Sequence, residues 1–302
     1  MAYLTLRPAA VLDEESFEGL LGGLAERPAR PGEEAIIDCT AVQFVDPFGM
    51  VGLLEVGRLL ARQGVRCTLK MPASQDVESY LERMEFFRHA QAYFHLQRQE
   101  TLFPSEPTRS SASDILLEIT PIVRSDDVHQ VVETVRERAR TILERHLRYP
   151  KEAIDGFCVS LAEVCQNIVE HSEDAGLVGI QKYFFARRLG RNAVKIAVMD
   201  LGVGIRRSLE ERLVAQFGSA WGDLLALEQA LFHGASRYDD VGRGHGLAAV
   251  RRFVTRWKGK LVLRSGTARL SLIPPWARGR AKTEGLPAFP GTQIAMILPE
   301  VI

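Results

Sequence analysis

Val198-Met199-Asp200-Leu201-Gly202-Val203-Gly204 ends an apolar run in a carboxylate followed by two glycines. Ala193–Val198 reads as a buried strand, so Asp200 stands at a strand end. A carboxylate there can accept a hydrogen bond from an exocyclic amino group, which adenine offers and guanine, with a carbonyl in its place, does not. Gly202 and Gly204 let the backbone come close to a flat base or a phosphate. Taken alone, D-x-G-x-G is explained equally well by a plain tight turn. The flanking sequence has to decide.

Upstream, the spacing predicts a helix from Pro150 to about Ser172, stopped by Gly176. Ile154, Phe157, Cys158, Leu161, Val164, Cys165 and Ile168 share one face of it. Glu163, Asn167 and His171 share the other, at i, i+4 and i+8, stacked one turn apart. A single Glu or Asn on a helix is ordinarily solvated surface. Downstream, Gly242-Arg243-Gly244-His245-Gly246-Leu247 runs directly into a predicted helix ending near Trp257. Unobstructed N–H groups at a helix N-terminus make an anion site suited to phosphates, while a flexible hinge is the plainer reading. Gly291-Thr292 opens the last strand, Thr292–Leu298, and on its own marks only a turn.

The order and spacing of these four motifs resemble the GHKL superfamily, which holds DNA gyrase, heat-shock chaperone ATPases, histidine kinases and anti-sigma-factor serine kinases. The resemblance spans Ile115 to the C-terminus. It implies a two-layer α/β sandwich of mixed sheet and helices that binds ATP with Mg2+. Glu163-x-x-x-Asn167-x-x-x-His171 looks most like the serine kinases, and the phosphoacceptor helix hairpin of the histidine kinases is missing. By the resemblance, Asn167 supplies an oxygen to Mg2+, a hard cation that otherwise keeps water and phosphate oxygens. Glu163 orients or deprotonates the attacking hydroxyl or water. Asp200 selects adenine, with Thr292 assisting through water, and Gly202 and Gly204 form the adjoining loop. Arg243, Gly244, His245, Gly246 and Leu247 belong to a lid over the triphosphate. Arg206, Arg207 and Arg243 are candidates for γ-phosphate charge, with solvated arginines as the alternative. For His171 a structural hydrogen bond at the helix end is the simpler role.

Residues 1–97 alternate short strands (Tyr3–Leu6, Glu34–Cys39, Val65–Lys70) with helices (Glu14–Ala25, Phe48–Gln63, Ser74–Met84), the pattern of a small α/β sandwich. Ala35-Ile36-Ile37-Asp38-Cys39, Phe44-Val45-Asp46-Pro47-Phe48-Gly49 and Val65-Arg66-Cys67-Thr68-Leu69 resemble a STAS domain, the fold of anti-anti-sigma factors. In that family the residue before the glycine is phosphorylated. Here it is Phe48, preceded by Pro47, and neither accepts a phosphoryl group. An exposed Pro47-Phe48 pair suits a constitutive protein contact; the alternative is a Phe48 ring in the core. A generic domain that packs or forms a homodimer also stays open. Residues 98–114, with Pro104, Pro107 and Ser110-Ser111-Ala112-Ser113, have linker composition, which leaves 115–302 as the second domain.

The chain has 302 residues, more than one core usually organises, so two domains are the default. Lys+Arg and Asp+Glu both total 38, a balance that gives no reason to expect nucleic-acid or membrane binding. Cys39, Cys67, Cys158 and Cys165 lack C-x-x-C spacing and read as buried reduced thiols of a cytoplasmic protein. No segment approaches the ~18 apolar residues of a membrane span. Two function classes follow: an enzyme moving the γ-phosphoryl to a Ser or Thr of a partner protein, or an ATP-gated binding module. The resemblance points to a STAS or sigma-factor-like regulator as that partner.

Overall fold

The computed structural model describes residues 4–98, 116–123, 128–171, 175–185, 189–236 and 246–302, without the side chains at 128 and 169–171. The chain divides into two compact units, Met1–Ser113 and Asp114–Ile302. The stretch read as a linker, apart from residue 98, lies outside the described residues.

The first unit contains β1 (Leu4–Leu6), β2 (Val11–Leu12), α1 (Phe17–Glu26), β3 (Glu34–Asp38), β4 (Phe44–Val45), α2 (Pro47–Arg62), β5 (Arg66–Lys70), α3 (Gln75–Arg83), α4 (Phe86–Ala90) and β6 (Phe94–Gln97). Its sheet has the order β1-β3-β5-β6 and is parallel throughout, while β2 and β4 pair separately. Parallel neighbours require crossovers, and the intervening helices supply them. Helix α2 starts because Asp46 accepts from the Gly49 N–H at 2.8 Å and Pro47 takes the first helical position. Its residues 47–58 are all buried, which suits a helix apolar on nearly every side. Three glycines make room for neighbours: a Cβ on Gly49, Gly52 or Gly57 would come within 2.3 Å of the Leu12 carbonyl, 2.5 Å of Phe17 or 2.1 Å of Phe94. The exposed Pro47-Phe48 contact is corrected here. Phe48 is 3% exposed and sits edge-on against Phe17 with ring centroids 5.6 Å apart, because the first turn of α2 faces α1.

The second unit contains β7 (Leu116–Ile122), α5 (Val128–Leu147), α6 (Lys151–His171), β8 (Gly176–Phe185), β9 (Arg191–Asp200), α7 (Gly204–Phe217), α8 (Asp223–Phe232), α9 (Gly246–Arg256), β10 (Lys260–Gly266), β11 (Ala268–Leu272), β12 (Lys282–Thr283) and β13 (Phe289–Pro299). Seven strands form one sheet in the order β12-β11-β10-β13-β9-β8-β7. The α/β sandwich is the expected one, but every strand pair is antiparallel rather than mixed. The close succession of β8 with β9 and of β10 with β11 accounts for much of this. Val194, Ile196 and Val198 alternate on one face of β9 and pack in a single core with Ile294, Met296 and Leu298 of β13 and the apolar faces of α5, α6, α8 and α9. Gly176 does not stop α6; it opens β8. A Cβ there would approach Ile168 and the Met199 carbonyl to 2.7 Å, so the glycine brings strand and helix together. Among the described residues no helix is long and apolar enough to cross a membrane.

Candidate functional site

The carboxyl end of β9, the start of α7, the C-terminal half of α6, the first turn of α9 and the start of β13 meet around one cleft that is partly open to solvent. Asn167, Asp200, Gly204, Leu247 and Thr292 all line it. Asn167 projects from α6 as an exposed residue, while its neighbours Val164 and Ile168 turn the apolar side of the same helix to the cleft wall. Val198, Ile205, Leu209 and Ile294 continue that wall. The result is an apolar slot with a few polar groups, the usual character of a site for a flat heterocycle.

Asp200 is 7% exposed at the last position of β9. Its Oδ1 accepts from the Gly202 N–H at 2.7 Å, which fixes the carboxylate plane. Gly202 therefore serves as a backbone donor to Asp200. Gly204 and Gly291 have positive φ, 76° and 75°, conformations that favour glycine. A Cβ on Gly291 would stand 2.0 Å from the Asp200 carbonyl oxygen and 2.7 Å from its Oδ1. Thr292 follows directly on β13, opposite Ser265 in register.

Glu163 is half-buried one turn before Asn167. It lies against the start of α9, since a Cβ on Gly246 would come within 3.1 Å of the Glu163 Cβ and Oε2. The structure thus brings Glu163 to the mouth of the same helix whose Leu247 lines the cleft. His171 ends α6, with its side chain outside the described residues, and Arg243, Gly244 and His245 are also outside them. Arg206 and Arg207 do not line the cleft. They line a separate depression with Asp223, Gly266 and Pro290, and Arg206 Nη1 stands 3.9 Å from Asp223 Oδ1. Helix α7 begins at Gly204, and its first turn carries them away from the Asp200 side.

Sequence reading missed Ser208, Ala230, Ala235 and Ser236, which close the side of the cleft away from the sheet. They come from between the two glycine motifs, where small and polar residues carry no signature of their own. The spacing puts Val164 and Ile168 on the apolar face of α6, and periodicity cannot separate a core wall from a pocket wall. Among the described residues no three His, Cys, Asp or Glu side chains assemble into a metal-binding group.

The model of the family "Histidine kinase-, DNA gyrase B-, and HSP90-like ATPase" matches residues 155–300, a stretch that contains all of these cleft elements. No curated protein matches the chain. The parallel α/β unit at the N-terminus lies outside the matched stretch and is not identified as STAS. The match supports a domain of the histidine kinase, DNA gyrase B and HSP90-like ATPase type at residues 155–300, and it implies ATP binding there.

Proposed function

We propose that the cleft holds Mg-ATP and that the domain acts as a serine/threonine protein kinase of the anti-sigma-factor type on a partner protein. The convergence of Asn167, Asp200, Gly204, Leu247 and Thr292 on one apolar slot carries this reading. The residues fit the nucleotide. Asp200, fixed by Gly202, presents an acceptor for the adenine amino group, and Thr292 stands beside it. Val164, Ile168, Ile205 and Leu209 bury the faces of the base. Asn167, exposed at the cleft, provides one neutral oxygen for Mg2+, whose remaining ligands come from phosphate and water. Mg2+ supplies charge neutralisation at the β- and γ-phosphates when bound. Glu163, one turn away, is placed to take the proton of the attacking Ser or Thr hydroxyl. The parallel N-terminal unit we read as a STAS-like partner-binding domain whose usual acceptor position is the buried Phe48.

Calorimetry of the full chain is expected to show Mg-dependent ATP binding and weaker GTP binding. Asp200→Asn turns one acceptor into a donor and is expected to weaken ATP binding by ~1.5–3 kcal/mol. Asn167→Ala is expected to abolish the Mg dependence. Glu163→Ala is expected to keep binding and to slow phosphoryl transfer by roughly 10²–10⁴. Labelled ATP incubated with the protein and a cell extract is expected to mark a partner band. Equal ATP and GTP affinity refutes the adenine assignment; ordinary turnover by Glu163→Ala refutes the base.

A further inference from the structure

We infer that Ser265, a residue behind the cleft wall, is a positioning residue that sets the selectivity for the adenine base. The inference rests on the reading of the cleft as an ATP site. Ser265 is 4% exposed on β10. Its Oγ accepts from the Ile205 N–H at 3.0 Å and donates to the Gly291 carbonyl at 2.7 Å. One hydroxyl therefore ties the start of α7, which continues the Asp200–Gly204 loop, to the turn that presents Thr292.

These segments touch without slack. A Cβ on Gly204 would come 2.8 Å from Ser265 Oγ and 3.2 Å from the Gly291 carbonyl. Ser265 pairs with Thr292 across β10 and β13, and Arg264 pairs with Gln293. Successive strand residues face opposite sides, so Ser265 and Thr292 share one face while Arg264 and Gln293 share the other. On that other face the Gln293 Nε2 donates to the Asp200 carbonyl at 3.3 Å and to the Pro290 carbonyl at 2.8 Å. The Arg264 guanidinium, 1% exposed, braces the arrangement by donating to Gln293 Oε1 at 3.4 Å and to the Pro287 carbonyl at 2.5 Å. Gln293 anchors the backbone of Asp200; Ser265 fixes how far the α7 side of the cleft stands from Thr292. The groups that read the edge of the base lie between these two ties.

Ribose and phosphates are common to ATP and GTP, so a loosened base site changes the ratio of their affinities more than the affinity for GTP. Loss of the Ser265 hydroxyl leaves a buried N–H and a buried carbonyl without their tie, and the two turns relax apart. A purely structural serine would alter stability and leave the ratio intact.

The experiment measures ATP and GTP dissociation constants and thermal unfolding for the full-length wild type, Ser265→Ala, Ser265→Cys and, as a control, Ser271→Ala, another buried serine of the same sheet. Ser265→Ala is expected to weaken ATP binding roughly tenfold while GTP affinity stays nearly unchanged, so the ratio collapses. Ser265→Cys keeps the volume with a weak donor and acceptor and is expected to give an intermediate ratio even if Ser265→Ala fails to fold. Ser271→Ala is expected to keep the wild-type ratio. A wild-type ratio in every folded Ser265 variant overturns the positioning role. A collapse in Ser271→Ala as large as in the Ser265 variants overturns it too. A wild type that binds neither nucleotide, or both equally, overturns instead the ATP reading on which it rests.

Discussion

Gly291 stands where a side chain has nowhere to go: its φ is 75°, and a Cβ would press against the Asp200 carbonyl at 2.0 Å. Gly291→Ala therefore combines left-handed strain of about 1–3 kcal/mol with displacement of the strand end that carries Asp200. ATP affinity is expected to fall at least as far as in Asp200→Asn, and the melting temperature to drop. Unchanged nucleotide binding in calorimetry would mean that Asp200 is not read by the base. Phe48 belongs to the other unit and to packing. With its ring edge-on to Phe17 and 3% exposed, Phe48→Ser is expected to cost ~3–5 kcal/mol, seen as a large fall in melting temperature. A normal melting temperature would contradict that burial. The four cysteines are also interior groups. Burial pushes the thiols of Cys39, Cys67, Cys158 and Cys165 up to about 12. At pH 8 only about one thiol in ten thousand is then ionised. Iodoacetamide is expected to leave the native protein unmodified and to label all four after denaturation; rapid native labelling would show a thiol outside the core.

The helices and strands with strong periodicity were legible in the chain, and the reasons are specific. Helix α2 announces itself by Asp46 and Pro47 at its start, and α3 by Ser74, whose hydroxyl accepts from Val77 N at 3.5 Å. Helix α6 shows its two faces through the spacing of Phe157, Leu161 and Ile168 against Glu163 and Asn167. Elements that depend on tertiary partners were not legible. Helix α4 follows Glu85, whose φ is a left-handed 57°, and β6 exists because Phe94–Gln97 pairs with Cys67–Lys70. Neither short segment carries its own cap or period. Strand β2 has two residues and is defined by Phe44 and Val45 across from it. The same limit governed the cleft. Asp200, the glycines and Thr292 carry chemical signatures, whereas Ser208, Ala230 and Ser236 are placed by the packing of α7 and α8 and have none. Ser265 is the clearest case: a lone serine in a strand says nothing until Ile205 and Gly291 are seen on either side of it.

Each unit holds its own buried residues, and this makes the division of the molecule testable. In Met1–Ser113 the sheet β1-β3-β5-β6 buries Leu4, Leu6, Ile37 and Leu69, with Met50, Leu54 and Leu60 of α2 also buried in the same unit. In Asp114–Ile302 the core of described residues joins α5–α9 to strands β7–β11 and β13. Every residue lining the candidate nucleotide cleft comes from this second unit, from Val164 to Ile294. The family match begins only at residue 155, after α5, yet Val135, Ala139, Ile142 and Leu143 of that helix are buried in the core beneath α6. A fragment cut at residue 155 would expose those partners of α6, the helix that carries Glu163 and Asn167. Expression of residues 114–302 is therefore expected to give a cooperatively unfolding protein with the ATP affinity of the full chain. Residues 155–302 alone are expected to aggregate or to unfold without a cooperative transition, because removing a helix from a core strips several large apolar side chains of their burial at about 1.5–3 kcal/mol each. Residues 1–113 are expected to unfold cooperatively and to bind no nucleotide. Thermal scans and calorimetry on the three fragments check this directly. ATP binding by residues 1–113, or full affinity in residues 155–302, would place the site or its supporting core elsewhere than α6, β9, α9 and β13.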